Sequence, residues 1–410
     1  MRLLYVVHQY YPAVGGAEKL VTNLAEAMVV RGHHVTVFTS RATDYRTWHT
    51  EALPVYEVVN GVHVHRFRAF ERGAYTWRVL NFGLSHYWRT RSSLCAPFIV
   101  WGNGPVCPGL VWAIFTRAHQ FDMVHVHNLH YATLALSYWP AQWRNLPYVL
   151  SPLMHIDQPE VFEVDFQMKI AQQADFILTL TSAEASYWVN HHVPVQKLEV
   201  TGHGLKMDHY ATPLPDAKPE DLGLPANAVI VLFLARKERY KGLALTLEAF
   251  AKVAADFPEA WLIVAGPETN DSIVLQRKYA DLPRAMFFDK ISDATKQQLL
   301  TIGDVLMVPS EGESFGIVYL EAWAYGKPVI GARSGAVPSL ITHGQDGLLI
   351  TPNNLLDAEH ALRYLLSNPT ARAQMGAEGY RKFLAHYTID KIADKTEAAY
   401  IRTLRQRRTM

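Results

Sequence analysis

EGESFGIVYLEAWAYGKPVI, residues 311–330, is the stretch from which the rest of the chain is read. Its opening is loop-like. From Gly316 the pattern turns helical, with Ile317, Leu320, Trp323 and Ala324 at spacings that place them on one buried face. Gly326, Lys327 and Pro328 end the helix, and Val329 and Ile330 begin a buried strand. The amides of Ser314, Phe315 and Gly316 then sit at a helix N-terminus. Unpaired N–H donors and the positive end of the helix dipole there favour an anionic or hydroxyl-rich ligand. Glu313 and Glu321 lie eight positions apart, one in the loop and one about two turns into the helix. A carboxylate only accepts, and it can take both hydroxyls of a vicinal diol. Two of them along one ligand-facing edge suit a molecule with two polyol ends, such as a nucleotide-sugar. The plainer reading is an amphipathic helix with an acidic first turn.

Residues 3–8 form an apolar strand, followed by Tyr10, Tyr11, Pro12 and then Gly15, Gly16, Ala17 and Glu18. A helix runs to Arg31 with Leu20, Leu24, Ala27 and Met28 inward, Gly32 caps it, and residues 35–40 are the next strand. This is one parallel unit of a doubly wound α/β sheet. It lacks G-x-G-x-x-G, so a dinucleotide fingerprint is not supported. Its glycines either let a backbone amide approach a phosphate or sugar or form a plain tight turn. Asn60 and Gly61 mark a hairpin between residues 55–59 and 62–67. Further strands are expected at 122–127, 148–151, 176–181 and 198–201. His127, Asn128, His155, Ser182 and His203 fall just beyond strand ends, where doubly wound sheets hold ligands. The Pro- and Asp-rich residues 208–224 read as a linker. A second α/β unit opens with the continuous apolar run 229–234 and continues through strands at 261–265, 286–288, 305–308, 329–331 and 347–350. The domains are thus set at 1–207 and 208–387.

A chain of 410 residues with 49% apolar content supports two or three domains. A net charge of +1 argues against a general nucleic-acid binder. Cys95 and Cys107 make neither a disulfide framework nor a zinc site, which fits a reducing, cytoplasmic setting. MRLLYVVHQYYP reads as a first strand, being too short and aromatic for a signal peptide. Prolines, glycines and Asn103 interrupt the apolar zone 94–115, so no spanning helix of about 20 residues is expected. Residues 77–91 read as a helix with Trp77, Leu80, Leu84, Tyr87, Trp88 and Arg91 on one side and Arg78, Arg89 and Arg91 adding charge. Core packing or a face turned to an acceptor or a membrane would explain it. No Asp-x-Asp occurs, the nearest match being Glu163, Val164 and Asp165. His125 and His127 share a strand face without an acidic or thiol partner, so no metal is expected.

The E-S-F-G…E-A run resembles the carboxylate motif of the retaining glycosyltransferases with the GT-B fold, family four, the glycosyl transferases group 1. Pro12, Gly15, Gly16, Ala17 and Glu18 match their P-x-x-G-G-A-E. Arg236 and Lys241–Gly242 match G-R-x-x-x-x-K-G, with Ala235 in place of the first glycine. His155, in Ser-Pro-Leu-Met-His, resembles the histidine after an S/T-P strand end. The resemblance implies two doubly wound Rossmann-like domains facing a central cleft, with a last helix, 388–410, crossing back to the first domain. It implies that Glu313 and the amides of Ser314, Phe315 and Gly316 hold the transferred sugar and phosphates, and that Glu321 binds the ribose diol. Gly15 and Gly16 would approach the diphosphate, and His155 would contact the sugar near the reacting carbon. The base-binding wall would come from loops around Gly266 and Pro267 and at 289–292, Ile291 among them. A guanidinium offers bidentate contact and an ammonium a point charge, so Arg236 and Lys241 would stabilise the departing diphosphate. The implied activity is retaining, metal-independent transfer of a hexose from a nucleoside-diphosphate sugar to a hydroxyl of a glycan, polysaccharide or lipid-linked precursor. A UDP-sugar such as UDP-glucose is preferred on family frequency, and the 77–91 region allows peripheral membrane association. The alternatives are a nucleotide-sugar epimerase or hydrolase of the same fold, or a non-catalytic nucleotide-sugar-binding protein. A sensor has no need of the leaving-group cations.

Overall fold

The computed structural model describes residues 1–13, 15–207 and 217–409. Most of the expected linker, residues 208–216, lies outside the described residues. The chain forms two compact units, Met1–Gly204 together with Ile389–Met410, and Leu205–Thr388.

The first unit holds an eight-stranded sheet. Its strands are β1 (Arg2–Val6), β2 (His34–Ser40), β3 (Tyr56–Val59), β4 (Val62–Phe67), β5 (Met123–His127), β6 (Tyr148–Ser151), β7 (Phe176–Thr179) and β8 (Leu198–Val200). They lie in the order β3-β4-β2-β1-β5-β6-β7-β8. All pairs are parallel except the β3–β4 hairpin, whose Asn60 and Gly61 both take positive φ. Alternation along β1 feeds two cores. Leu3 and Tyr5 pack with Val21, Leu24, Met28 and Tyr400, while Leu4 and Val6 pack with Phe38, Val126, Leu134 and Trp188. Helices therefore cover both faces, which is why the central strands read as unbroken apolar runs.

The last helix, Ile389–Thr409, belongs to this first unit. Ile392, Ala393 and Tyr400 are buried in the sheet's core. Arg31 pairs with Asp394 at 2.7 Å and with Glu397 at 3.1 Å. The basic end is anchored: Arg402 pairs with Glu199, and Arg407 with Asp175 at 2.8 Å.

One expectation for the aromatic N-terminal region changes. The helix expected at 77–91 runs over Ala74–Thr90 and buries only Leu80, Gly83 and Tyr87. Trp77 is exposed, with the Arg72 guanidinium 3.9 Å over its ring. The interrupted zone 94–115 folds into helices Ala96–Asn103 and Pro108–Arg117. Among the described residues no single helix is long and apolar enough to cross a membrane.

The second unit holds six parallel strands. They are β9 (Val229–Leu234), β10 (Ala260–Ala265), β11 (Ala285–Phe288), β12 (Val305–Met307), β13 (Val329–Ala332) and β14 (Gly347–Ile350). Their order is β11-β10-β9-β12-β13-β14. The helix of the 311–330 stretch spans Ile317–Ala324. It was expected to bury one face, yet every residue from Tyr319 to Ala324 is buried, because helix Pro369–His386 packs over its outer side. Its polar tips are satisfied there. Tyr319 donates to the carbonyl of Val308 at 2.6 Å, and Trp323 Nε1 to that of Asp346 at 2.9 Å.

Candidate active site

In an open parallel sheet a ligand crevice forms beyond the carboxyl ends, at the point where successive connections leave in opposite directions. In the second unit that point lies between β9 and β12, since β10 and β11 extend one way and β13 and β14 the other. Arg236 and Lys241 follow β9, and Glu313 to Gly316 follow β12. Two of the residues singled out from sequence, Lys241 and Glu313, meet there. Lys241 Nζ donates to Glu313 Oε1 at 2.5 Å, with the two side chains 14% and 10% exposed. Arg236 stands apart; it is exposed and meets no acid among the described residues.

Backbone contacts explain the pairing. The amide of Glu311 donates to the carbonyl of Tyr240 at 2.7 Å, and Ser310 Oγ donates to the same carbonyl at 3.2 Å. Gly242 has φ +79°, and a Cβ there would lie 2.4 Å from the carbonyl oxygen of Pro309. The β9 and β12 loops are thus closed on each other, and Lys241 is delivered to Glu313. On the far side Ala336 N donates to the carbonyl of Glu313 at 3.0 Å, and Ser334 Oγ donates to that of Glu311. Gly316, at φ +96°, caps the helix start in a left-handed conformation open to glycine. The amides of Ser314 and Gly316 donate to no group among the described residues, as expected of a helix start that can receive an anion. The Phe315 ring is buried and packs edge-on against Tyr387, 5.8 Å away. Ala235 replaces the family's glycine without strain, since its φ is not positive.

Glu321 is buried and ion-paired with Lys296, on helix Asp293–Ile302. Ile291 is half-buried in the loop after β11, one position before Ser292, whose Oγ caps that helix by accepting from Thr295 N at 3.0 Å. Lys237 is wholly buried, 3.5 Å from Glu268, and burial lowers its pKa. Neither Lys296 nor Lys237 was singled out from sequence. Their partners lie far along the chain and no spacing announces them.

The first unit has its own switch point, between β1 and β5. His8 lies just beyond β1. Its Nε2 lies 2.9 Å from Glu18 Oε1, and Asn128 Nδ2 lies 2.8 Å from Nδ1. With the Asn128 amide donating to Nδ1, the imidazole proton sits on Nε2, toward Glu18. The His8 ring stacks on Tyr131 at 3.9 Å. Gly15 is extended and precedes helix Gly16–Val30; a Cβ on it would lie 2.1 Å from Glu18 Oε2. His203 Nε2 lies 3.3 Å from the carbonyl of Gly16. Gly15, Gly16, Asn128 and His203 are therefore brought together, with His8 and Tyr131 as additions that sequence reasoning missed. Glu18 was in view in Gly-Gly-Ala-Glu, but nothing in the sequence tied it to His8. His155 is half-buried, its ring 6.2 Å from that of Phe162. His127 is no ligand-facing group. It is fully buried, its ring lies 4.0 Å from that of His125, and burial pushes its pKa down to about 3. His125 is held by Tyr400 at 2.7 Å and Ser151 at 2.8 Å. Ser182 is the exposed first residue of helix Ser182–Asn190, capped by Thr181. Among the described residues no group of three or more His, Cys, Asp or Glu converges as a metal site.

Two family profiles match the chain, described as "Glycosyl transferases group 1" over residues 216–382 and "Glycosyl transferase 4-like domain" over residues 15–204. The chain belongs to the group 1 glycosyltransferases. This glycosyltransferase is 27% identical to the D-inositol 3-phosphate glycosyltransferase of Stackebrandtia nassauensis, across 94% of this chain and 86% of that one. It is 26% identical to the enzyme of the same name from Mycobacterium avium, across 96% and 90%. Among solved structures it resembles sucrose-phosphate synthase from Thermosynechococcus elongatus, with a TM-score of 0.74, 20% identity and 99% of each chain covered. It also resembles Anabaena HepE in complex with UDP-glucose, with a TM-score of 0.72, 18% identity, and 99% and 100% covered. At those identities the structures establish the fold, which is GT-B, two Rossmann-like α/β units with parallel sheets. The family and the named relatives support a transferase.

Proposed function

We propose that this glycosyltransferase moves a hexose, with retention of anomeric configuration, from a UDP-sugar such as UDP-glucose to a hydroxyl of a glycan, polysaccharide or lipid-linked precursor. The observation that carries the reading is the Lys241–Glu313 pair next to the Gly316 helix start, at the switch point of the second unit. HepE structures described with UDP and with UDP-glucose share this fold and support the choice of donor. In this reading Glu313 accepts from sugar hydroxyls, and the amides of Ser314, Phe315 and Gly316 face the phosphates. Glu321 takes the ribose diol while Lys296 holds it in place. The loop carrying Ile291 borders the base. Arg236 and Lys241 stabilise the charge that develops on the departing diphosphate. They take the part that a chelated cation plays elsewhere, so no metal is required. Retention follows a same-face path in which the departing phosphate oxygen receives the proton of the acceptor hydroxyl. The first unit supplies the acceptor's binding groups, with His155 near the reacting carbon and Gly15 and Gly16 at the diphosphate.

A thermal-shift panel of UDP-, GDP- and ADP-sugars tests the donor. The UDP-sugar should raise the melting temperature most, since a ligand that binds only the folded state stabilises it. Transfer from that donor, with the product anomer read by NMR, tests the rest. An inverted product, or a donor ranking led by another base, would overturn the corresponding part.

A further inference from the structure

Residues 72–121 hold five arginines and not one of the chain's 38 acidic residues. Two helices from this span, Ala74–Thr90 and Ala96–Asn103, pack closely through Leu80, Gly83, Ile99 and Gly102. Their other sides are bare. On the first helix Tyr75, Arg78, Phe82, His86 and Arg89 recur at three- and four-residue spacing, so they form one stripe, and all five are exposed. On the second segment Leu94, Phe98 and Trp101 recur in the same way. The rings of Phe82 and Phe98 meet edge-on at 5.7 Å and join the two rows. Exposure in the second row runs from 41% at Trp101 to 80% at Leu94.

A soluble surface rarely keeps so many large apolar side chains side by side without a use for them. The charge pattern identifies the use. Aromatic rings with arginines among them and no carboxylate suit the boundary of an anionic bilayer, where rings settle at headgroup depth and guanidinium groups meet lipid phosphates. The neighbouring segments agree. Ser93–Asn103 and Pro108–Gln120 reach the length and apolarity of a membrane span only when taken together, and they are bent by 104°. Ile99, Leu110 and Ile114 are buried in the protein's own core. A bent pair with part of each helix buried in the protein suits a place along a membrane surface.

We propose that this face seats the protein peripherally on an anionic lipid bilayer. The proposal deepens the lipid-linked acceptor reading and rests on it only for its purpose. The test is co-sedimentation of the full chain with phosphatidylcholine vesicles, with and without phosphatidylglycerol. No nucleotide-sugar or acceptor is present, so failure here leaves the transfer reading intact, and a failed transfer assay leaves this one intact. Binding should need phosphatidylglycerol and weaken as salt rises. Arg78→Ser with Arg89→Ser should lower partitioning about thirtyfold, equivalent to about 1 kcal/mol per arginine. Phe82→Ser with Phe98→Ser should lower it about tenfold, with melting temperature and gel-filtration volume showing that both variants fold. Three results would overturn the proposal. The chain could stay in the supernatant with both vesicle types, or both variants could bind like the parent. Sedimentation velocity could instead show a dimer dissolved by the Phe82 and Phe98 substitutions, making this face a contact between copies.

Discussion

Lys241→Met is the perturbation that asks most of the proposed site. The ammonium lies 2.5 Å from Glu313 Oε1, with both side chains largely shielded from water. At an effective dielectric of about 20 the gross attraction at that distance is roughly 6–7 kcal/mol, and desolvation of both ions offsets most of it. Losing the ammonium alone leaves a nearly buried carboxylate without its cation, and we expect a loss of about 1–3 kcal/mol of stability. Glu313→Gln alone strands the ammonium in the same way. The double variant strands neither, so it should be more stable than the sum of the single losses allows, with a coupling of at least about 1 kcal/mol. Catalysis should follow a different arithmetic. If Lys241 stabilises the departing diphosphate, its removal should cost about 2.7–4 kcal/mol of transition-state stabilisation, or roughly a hundred- to a thousandfold in kcat. Restoring stability in the double variant should return none of that rate. Urea denaturation gives the stability cycle, and release of the nucleoside diphosphate under saturating donor gives the rate. Lys241→Met retaining a third of the parent kcat, or a double variant regaining activity along with stability, would refute the reasoning. The pair would then be a structural clasp.

Arg236→Lys should keep the charge but lose the bidentate fork, lowering kcat about tenfold, whereas Arg236→Met should lower it a hundredfold or more in the same assay. Transfer measured with EDTA should equal transfer with added magnesium if the two cations carry the leaving-group charge; loss of activity in EDTA would overturn that part. Gly242→Ala forces a side chain into a φ of +79° and against the Pro309 carbonyl, so the melting temperature should fall and donor KM should rise as Lys241 is displaced. His125 and His127 are buried, and burial holds both imidazoles neutral. In the unfolded chain they titrate near 6.5, so below that pH the unfolded state binds protons that the folded state refuses. Stability should be full above about pH 6.5 and fall as pH drops toward about 3, and His127→Gln should reduce that slope by about 1.4 kcal/mol per pH unit in urea titrations.

Most of the fold was legible because its signals are local. A run such as residues 229–234 states a doubly covered strand by itself, and Asn60 with Gly61 states a hairpin by itself. Local signals mislead where burial depends on what arrives from elsewhere. The helix Ile317–Ala324 looked one-sided because nothing in its own residues announces helix Pro369–His386, which covers its other face. Nor does the basic last helix announce its partners, since Asp175 and Glu199, which pair with it, lie some two hundred positions away.

The candidate site divides along the same line, and strand order is the reason. Each motif was visible as a loop after a strand, but a loop joins a site only if its strand lies beside the right neighbour. β12 pairs with β9 although β10 and β11 come between them in sequence, and this non-sequential pairing sets Glu313 against Lys241, 72 positions away. In the first unit β5 pairs with β1, which brings Asn128 to His8 across 120 positions. Lys241 could be named in advance because its spacing from Arg236 is itself a pattern. His8 and Lys296 could not, since each is one polar residue whose role exists only through a carboxylate on another segment. His8→Ala tests whether the difference is real. If His8 orients Glu18 and Asn128 around the Gly15 and Gly16 turn, the variant should change KM for donor or acceptor while thermal shift by the donor's nucleotide alone persists. A variant that loses only stability would reduce that cluster to core packing.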